Sequence, residues 1–319
     1  MQQTMKIALI GPGIMPIPPP GWGAVEILIW DYYQELTRRG HDVSIINTKD
    51  VIDIVTQVNE GGYDFVHLHY DVYYQVLDKL QCPKIAITSH YPYIDQLEKH
   101  QNDGYTRVFD FLVKQTRFYN FVLAEKDYAA FLKCGANPNY LKKIKNGING
   151  DLFSFSREPC LKKCVYLGKI TVRKNQKKYQ SIPDVDFIGN LEDYGFNIAN
   201  DNYLGEWTRE QIHKNLTNYT NLLLISQGEA DPLVVKEALI AGLGVVVNKS
   251  SSENLDVTQD FITVLEEDKL DDLKYVHDKI RENMAICVKK RQEIRDYGIR
   301  TFDIKNEVDR YIKVVIELS

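Results

Sequence analysis

Glu229 and Glu237 stand eight residues apart and bracket an Asp231-Pro232 step that leads into the apolar run Leu233-Val234-Val235. Pro232 suits the first position of a helix, where its missing N–H is not needed, and Asp231 suits the cap before it. The N–H groups of Leu233 and Val234 would then point out of the helix start, where backbone donors and the helix dipole together favour a phosphate. The Glu237 carboxylate, a turn further on, is of the kind that accepts from two vicinal hydroxyls, as on a ribose. Standing alone, the two glutamates read equally as ordinary surface acids.

Two other runs carry comparable chemistry. Tyr166-Leu167-Gly168-Lys169 leads through Arg173 to Lys174, and two lysines at such a turn can neutralise a leaving diphosphate without a metal. The bland counterpart is a solvated basic turn. Earlier, Gly11 to Glu26 is rich in proline, and Gly21 and Gly23 leave backbone N–H groups uncovered just before a helix start. Its bland counterpart is a connector. No G-x-G-x-x-G follows the first strand, which disfavours a dinucleotide-binding dehydrogenase.

Other candidates are weaker. Asp184-Val185-Asp186 has the form of a divalent-cation motif, yet Asp186 opens an apolar strand, and the structural reading is preferred. His67 and His69 alternate along a strand and are expected on opposite sides of it, one of them structural. Cys160 and Cys164 resemble half a zinc site with no second pair to complete it. The five cysteines show no pairing pattern and read as free thiols in a reducing compartment, so the chain is expected to be cytoplasmic.

The elements that must hold these residues alternate between strand and helix. Lys6–Gly11, Asp42–Ile46, Phe65–Leu68, Lys84–Thr88 and Phe121–Leu123 are near-continuous apolar runs, as expected for a parallel sheet covered on both faces. Ala24–Arg39 reads as a helix that Gly40 stops. After a basic stretch to about Pro159 the pattern restarts, with strands near Cys164–Leu167, Asp186–Ile188, Leu222–Ile225 and Val245–Val247. Helices are expected at Arg209–Leu216, Leu233–Ala241 and along the tail. The expected fold class is therefore α/β, with two Rossmann-like doubly wound domains facing each other across a cleft. The boundaries are 1–155, 156–300, and a closing helix in 301–319 that returns to the first domain.

At 319 residues the chain is long enough for two such domains, each with its own core. A composition of 44% hydrophobic and 26% charged residues excludes a disordered or fibrous chain. No apolar run is long enough to span a bilayer, and the N-terminus does not read as a signal peptide. The net charge of −5 conceals a basic stretch, 133–178, with twelve Lys/Arg against two Asp/Glu. Part of it can face an anionic ligand, and the rest an anionic acceptor or a lipid surface. The usual basic modules of nucleic-acid binding are missing, so no nucleic-acid partner is expected.

Taken in order, these segments resemble the retaining glycosyltransferases of family 4, which have the GT-B fold, over nearly the whole chain. The proline-rich entry with Gly21-Trp22-Gly23-Ala24 and Glu26 comes first. Asp64 to His69, Thr88-Ser89-His90, and Asn146-Gly147-Ile148-Asn149 with Phe153 follow, and then Gly168-Lys169 to Lys174 and Glu229 to Glu237. The resemblance implies metal-independent transfer of a sugar from a nucleoside-diphosphate sugar, UDP-linked by default, to an acceptor hydroxyl on a glycan, lipid-linked or small molecule. It implies that His90 contacts the donor sugar, that Lys169 and Lys174 hold the diphosphate, and that Glu229 contacts the sugar. Glu237 would contact the ribose, with backbone groups of Gly23, Leu233 and Val234 at the phosphates. Gly21, Asp231 and Pro232 belong to the same donor-binding segments. No cofactor or metal is implied. Lys169 stands where arginine is usual, keeping the charge and losing the fork, and Asn149 stands where aspartate is common. An epimerase or hydrolase of the same fold and a non-catalytic sugar-nucleotide-binding subunit are the alternatives.

Overall fold

The computed structural model describes residues 4–318. Residues 1–3 and 319, included above in the first domain and the closing helix, lie outside the described residues. The chain forms two compact units. One takes the chain through Pro19, Gly23–Gly147 and everything from Ile304 on; the other takes Pro20–Trp22 and Ile148–Asp303.

The first unit runs β1 (Lys6–Ile10), α1 (Ala24–Arg38), β2 (Asp42–Ile46), α2 (Val51–Gly61), β3 (Phe65–Leu68), β4 (Lys84–Thr88), α3 (Leu97–Asn102), α4 (Thr106–Lys114), β5 (Tyr119–Val122), α5 (Glu125–Lys133) and β6 (Leu141–Lys143). Its strands pair in the order β2-β1-β3-β4-β5-β6, all parallel. Sequence signals set several ends: the Asp50 side chain accepts from the Ile52 and Asp53 N–H groups to start α2, and Gly62 ends it in a left-handed conformation at φ 62°.

The second unit runs β7 (Cys164–Leu167), α6 (Gln176–Tyr179), β8 (Val185–Ile188), α7 (Arg209–Asn215), β9 (Asn221–Leu224), α8 (Leu233–Ile240), β10 (Gly244–Val247), β11 (Ile262–Val264) and α9 (Leu273–Phe302). Its parallel sheet has the order β11-β10-β9-β7-β8. Strands β7 to β10 are buried along their whole length, which is why they read as nearly continuous apolar runs, interrupted by Asp186 in β8 and Asn221 at the start of β9. Helix α8 is buried nearly all round and lies across α9 at Gly298, where a Cβ would come within 2.7 Å of the Ile240 nitrogen and the Leu239 carbonyl carbon.

The last helix, α10 (Ile304–Glu317), belongs to the first unit and packs on α1, with the Tyr32 and Tyr311 rings 4.8 Å apart. Extended backbone at Asp303 separates it from α9. The expected boundary near 155 moves to Ile148. The Ile148 N–H donates to the Phe302 carbonyl, and Phe153 is buried in the second core. Strands β6 and β11 are additions to the expected set. Both are three-residue edge strands, and β6, Leu-Lys-Lys, has no apolar run to reveal it.

Candidate functional site

In the second unit the strand order reverses at β7, which lies between β8 and β9. Loops leaving the carboxyl ends of β7 and β9 diverge there, and ligands of open parallel sheets bind at such a switch point. The two loops are stitched together. Tyr166 Oη accepts from the Ile225 N–H at 2.9 Å and donates to the Lys174 carbonyl, and the Gln227 N–H donates to the Arg173 carbonyl at 2.9 Å. Thr171 caps the turn Val172–Lys174 by accepting from the Lys174 N–H. Gly189, after β8, has φ 155°, and a Cβ there would fall 2.0 Å from the Gly168 carbonyl oxygen, so only glycine lets the β7 and β8 loops approach this closely.

This stitching brings two cations onto one buried acid. Arg173 Nη1 lies 2.9 Å from Glu229 Oε1 and also donates to Ser226 Oγ and the Gly228 carbonyl; Lys174 Nζ lies 3.5 Å from the same carboxylate oxygen. Burial by itself would raise the Glu229 pKa, but Lys174 and Arg173 outweigh it and hold the carboxyl below the ordinary range. Glu229 is thus an ionised, internal group and not a surface acid, and the cluster keeps an excess positive charge.

Lys169 is placed differently. Its ammonium pairs with Glu192 and sits 4.7 Å above the ring of Trp22, which is 43% exposed. The neighbouring Gly21 lies against Glu206, whose carboxylate oxygen would be 2.9 Å from an added Cβ.

Helix α8 starts at Leu233, with Pro232 in the capping position and no side-chain cap. Asp231 therefore does not cap, contrary to expectation. Its carboxylate pairs with the fully buried ammonium of Lys236 and accepts from Asn254 Nδ2 at 3.0 Å. A lysine enclosed in an apolar helix needs a counter-ion more than the helix needs a cap. Helix α8 thus presents its N-terminal turn, Leu233 and Val234 included, without a side-chain cap at Pro232. Glu237 is also buried, and its Oε1 accepts from Arg209 Nη2 at 2.7 Å.

Arg173 and Arg209 are the residues that sequence reading missed. Arg173 stood in the basic run unassigned, and nothing local distinguishes it from its neighbours. Asp186 is internal, 2.8 Å from Lys163 Nζ and accepting from Tyr219 Oη at 3.0 Å, in keeping with the structural reading of that motif.

In the first unit the switch point lies at β1, between β2 and β3. The proline-rich loop after β1 is tied down by Tyr73 Oη on the Pro12 carbonyl and by Asn47 on Gly13 and Met15. Gly23 precedes α1 at φ 123°, and a Cβ there would lie 3.0 Å from Glu26 Oε2. Glu26 is buried, and burial raises its carboxyl pKa against the opposing hydrogen bond from its own N–H.

His67 and His69 do not face opposite sides. Residues two apart on a strand share a face, and the rings lie 3.8 Å apart. His67 is held between Tyr311 Oη and Thr88 Oγ1 at 2.8 and 2.7 Å. His69 is buried with neither ring nitrogen hydrogen-bonded among the described residues, and it stacks at 5.9 Å on His90, whose Nε2 is likewise enclosed and unpartnered.

Burial, helped by the neighbouring rings, holds His67 and His69 well below the usual range, and burial alone lowers His90 to about 4. All three are neutral at pH 7. Unfolded histidines take up protons near pH 6.5, and these do so only well below it. Their stability contribution is therefore complete above pH 6.5 and shrinks as pH falls from there toward 4. The slope is about 1.4 kcal/mol per pH unit for each ring. Urea midpoints measured at pH 7.5, 6 and 5 should fall steadily. A constant or rising midpoint would contradict the neutral, enclosed row.

No family model and no curated protein matches this chain. Solved structures do. HepE of Anabaena, in complex with UDP and glucose, aligns with a TM-score of 0.72 at 14% identity, over 98% of this chain and 100% of that one. Sucrose-phosphate synthase from Thermosynechococcus elongatus aligns with 0.73 at 14% identity, and WaaG, a glycosyltransferase involved in lipopolysaccharide biosynthesis, with 0.73 at 13%; each alignment covers 98% of this chain and 100% of the other. Likeness at this level of identity speaks for architecture, and together with the two parallel-sheet α/β units it shows that the chain has the GT-B fold.

Proposed function

We propose that this protein is a metal-independent, retaining glycosyltransferase of family 4 that transfers a sugar from a nucleoside-diphosphate sugar to an acceptor hydroxyl. One observation carries the reading: Arg173 and Lys174 converge on ionised Glu229 at the switch point of the second unit, in the unit whose helix α8 starts without a side-chain cap. As the sugar–phosphate bond breaks, negative charge grows on the leaving diphosphate oxygen. Fixed cations and helix-start N–H groups stabilise that charge without reorganising. Lys169 adds a third cation once the diphosphate replaces Glu192 as its partner. Glu229 holds the two cations in place and contacts the sugar, and Glu237 accepts from the ribose. His90, neutral and half-buried, contacts the donor sugar, and Gly23 meets the diphosphate through its backbone, as the resemblance implies. UDP-sugars are the first donors to try, by the resemblance and by the nucleotide seen in HepE.

The test is nucleotide release from UDP-, GDP- and ADP-sugars with and without acceptor hydroxyls, in excess chelator. We expect acceptor-dependent release that persists in chelator and a product with the donor's anomeric configuration. Activity abolished by chelator and restored by Mn²⁺ would overturn the metal-independent mechanism. Release that ignores acceptors would make the chain a hydrolase, and no release with any donor would sink the transferase reading.

A further inference from the structure

Arg209 is the first residue of α7, and a reciprocal cap fixes that helix start. The Gln211 N–H donates to Thr208 Oγ1, and the Thr208 N–H donates to Gln211 Oε1. From there its Nη2 reaches Glu237 Oε1 at 2.7 Å and His213 Nε2 at 3.2 Å. His213 is clamped edge-on against Phe153, with ring centroids 4.8 Å apart. Burial first, and the Arg209 charge second, lower His213 to about 4, so its ring is neutral and its Nε2 can accept.

One tooth of the guanidinium fork is therefore committed, and the other is not. Arg209 Nε–H is enclosed and has no hydrogen-bond partner among the described residues. A buried donor left unpaired is costly and calls for an explanation. Nε and Nη2 donate side by side from one edge of a planar group, so the empty position lies beside the oxygen that Glu237 already shares. Glu237 retains its second oxygen, Oε2, as an acceptor.

We propose that Arg209 is a specificity-determining residue. Glu237 Oε2 accepts from one ribose hydroxyl while Arg209 Nε–H donates to the vicinal oxygen, so the pair reads an intact diol and not a single hydroxyl. This rests on the reading of the chain as a nucleotide-sugar transferase. Glu237 by itself can read a hydroxyl only as a donor. With Arg209 alongside, one is read as a donor and the other as an acceptor, and a ribose lacking either oxygen leaves a buried group unsatisfied.

The experiment is calorimetry of the whole protein with UDP, GDP and ADP, followed by the 2′-deoxy and 3′-deoxy forms of the tightest binder. Wild type should lose about tenfold or more with each deoxy form, the range expected for a hydrogen bond to a charged group. Arg209→Met should lose discrimination against the deoxy form that lacks the oxygen Arg209 reads, and keep it against the other, whose hydroxyl Glu237 still reads. Arg209→Lys keeps the charge without the fork; it should keep more affinity than the Met variant and still lose that same discrimination. Melting temperatures check that each variant is folded, and the Lys variant decides if the Met variant is not. An Arg209 that only supports the fold would weaken every nucleotide equally, and an unchanged ribose-to-deoxy ratio in a folded variant overturns the proposal. So does a wild type that binds a nucleotide without discriminating. A wild type that binds none of the three diphosphates sinks the donor reading itself, which keeps the two failures distinct.

Discussion

Lys174→Ala should cost two to three powers of ten in kcat while the protein remains folded. The Lys174 side chain is 13% exposed, arches over Gly168 and faces Glu229 at 3.5 Å. A cation fixed next to a breaking sugar–phosphate bond binds the transition state better than the ground state, so its loss falls on turnover. Removing one preorganised contact of this kind costs about 3–4 kcal/mol. The fold should tolerate the change because Arg173 remains paired with Glu229. Lys169→Ala should fall short of that loss, since Glu192 and the Trp22 ring hold the Lys169 ammonium in the resting protein. Lys169→Arg should retain much of the activity. Steady-state kinetics with melting temperatures would settle these expectations, and near-wild-type kcat in Lys174→Ala would remove the diphosphate clamp from the mechanism.

Arg291→Met should destabilise the second unit by about 3–5 kcal/mol, because several buried acceptors lose a charged donor at about 1–3 kcal/mol apiece. Arg291 is 2% exposed. Its guanidinium donates to the carbonyls of Tyr219 at 2.8 Å, Thr217, Ala241 at 3.4 Å and Ser156 at 3.3 Å, and to Thr217 Oγ1 at 3.0 Å. Burial lowers its pKa to about 10, so it stays charged at pH 7. The Ala241 carbonyl lies at the end of α8, where the helix dipole favours a cation. Methionine fills the volume and leaves these acceptors unpaired. In a unit of this size the expected loss lowers the melting temperature by roughly 6–20 °C. A scan that resolves this unit's transition and finds a shift of about a degree would show that Arg291 is not the clamp described.

The elements legible in the sequence were those whose signal is local. Parallel strands buried on both faces, such as Cys164–Leu167 and Gly244–Val247, appear as apolar runs because a polar side chain on either face needs a buried partner. The Glu229–Glu237 spacing and the lysine turn were legible for the same reason. Partners distant in the chain were not: Arg209 meets Glu237 across 28 residues and Arg173 meets Glu229 across 56. Asp231 misled because a local capping preference was overridden by a buried lysine one turn away. The histidines misled through a slip in strand geometry and not through any lack of signal. How the loops of the candidate site are held was illegible too, since glycines such as Gly189 acquire meaning only from what passes beside them.

Gly298 is the sharpest case of that kind. It lies on α9, sixty-one residues after Glu237, and carries no functional group. Yet the backbone of α8 rests on it so closely that even a methyl group would collide with Leu239 and Ile240. Helix α8 is short and enclosed, so it answers such a push by moving as a rigid rod, and its first turn moves with its last. In a random-mutagenesis screen, Gly298 would then score alongside the charged residues, as a position where loss of activity reports a displaced α8, the helix proposed to meet the phosphates, rather than lost chemistry.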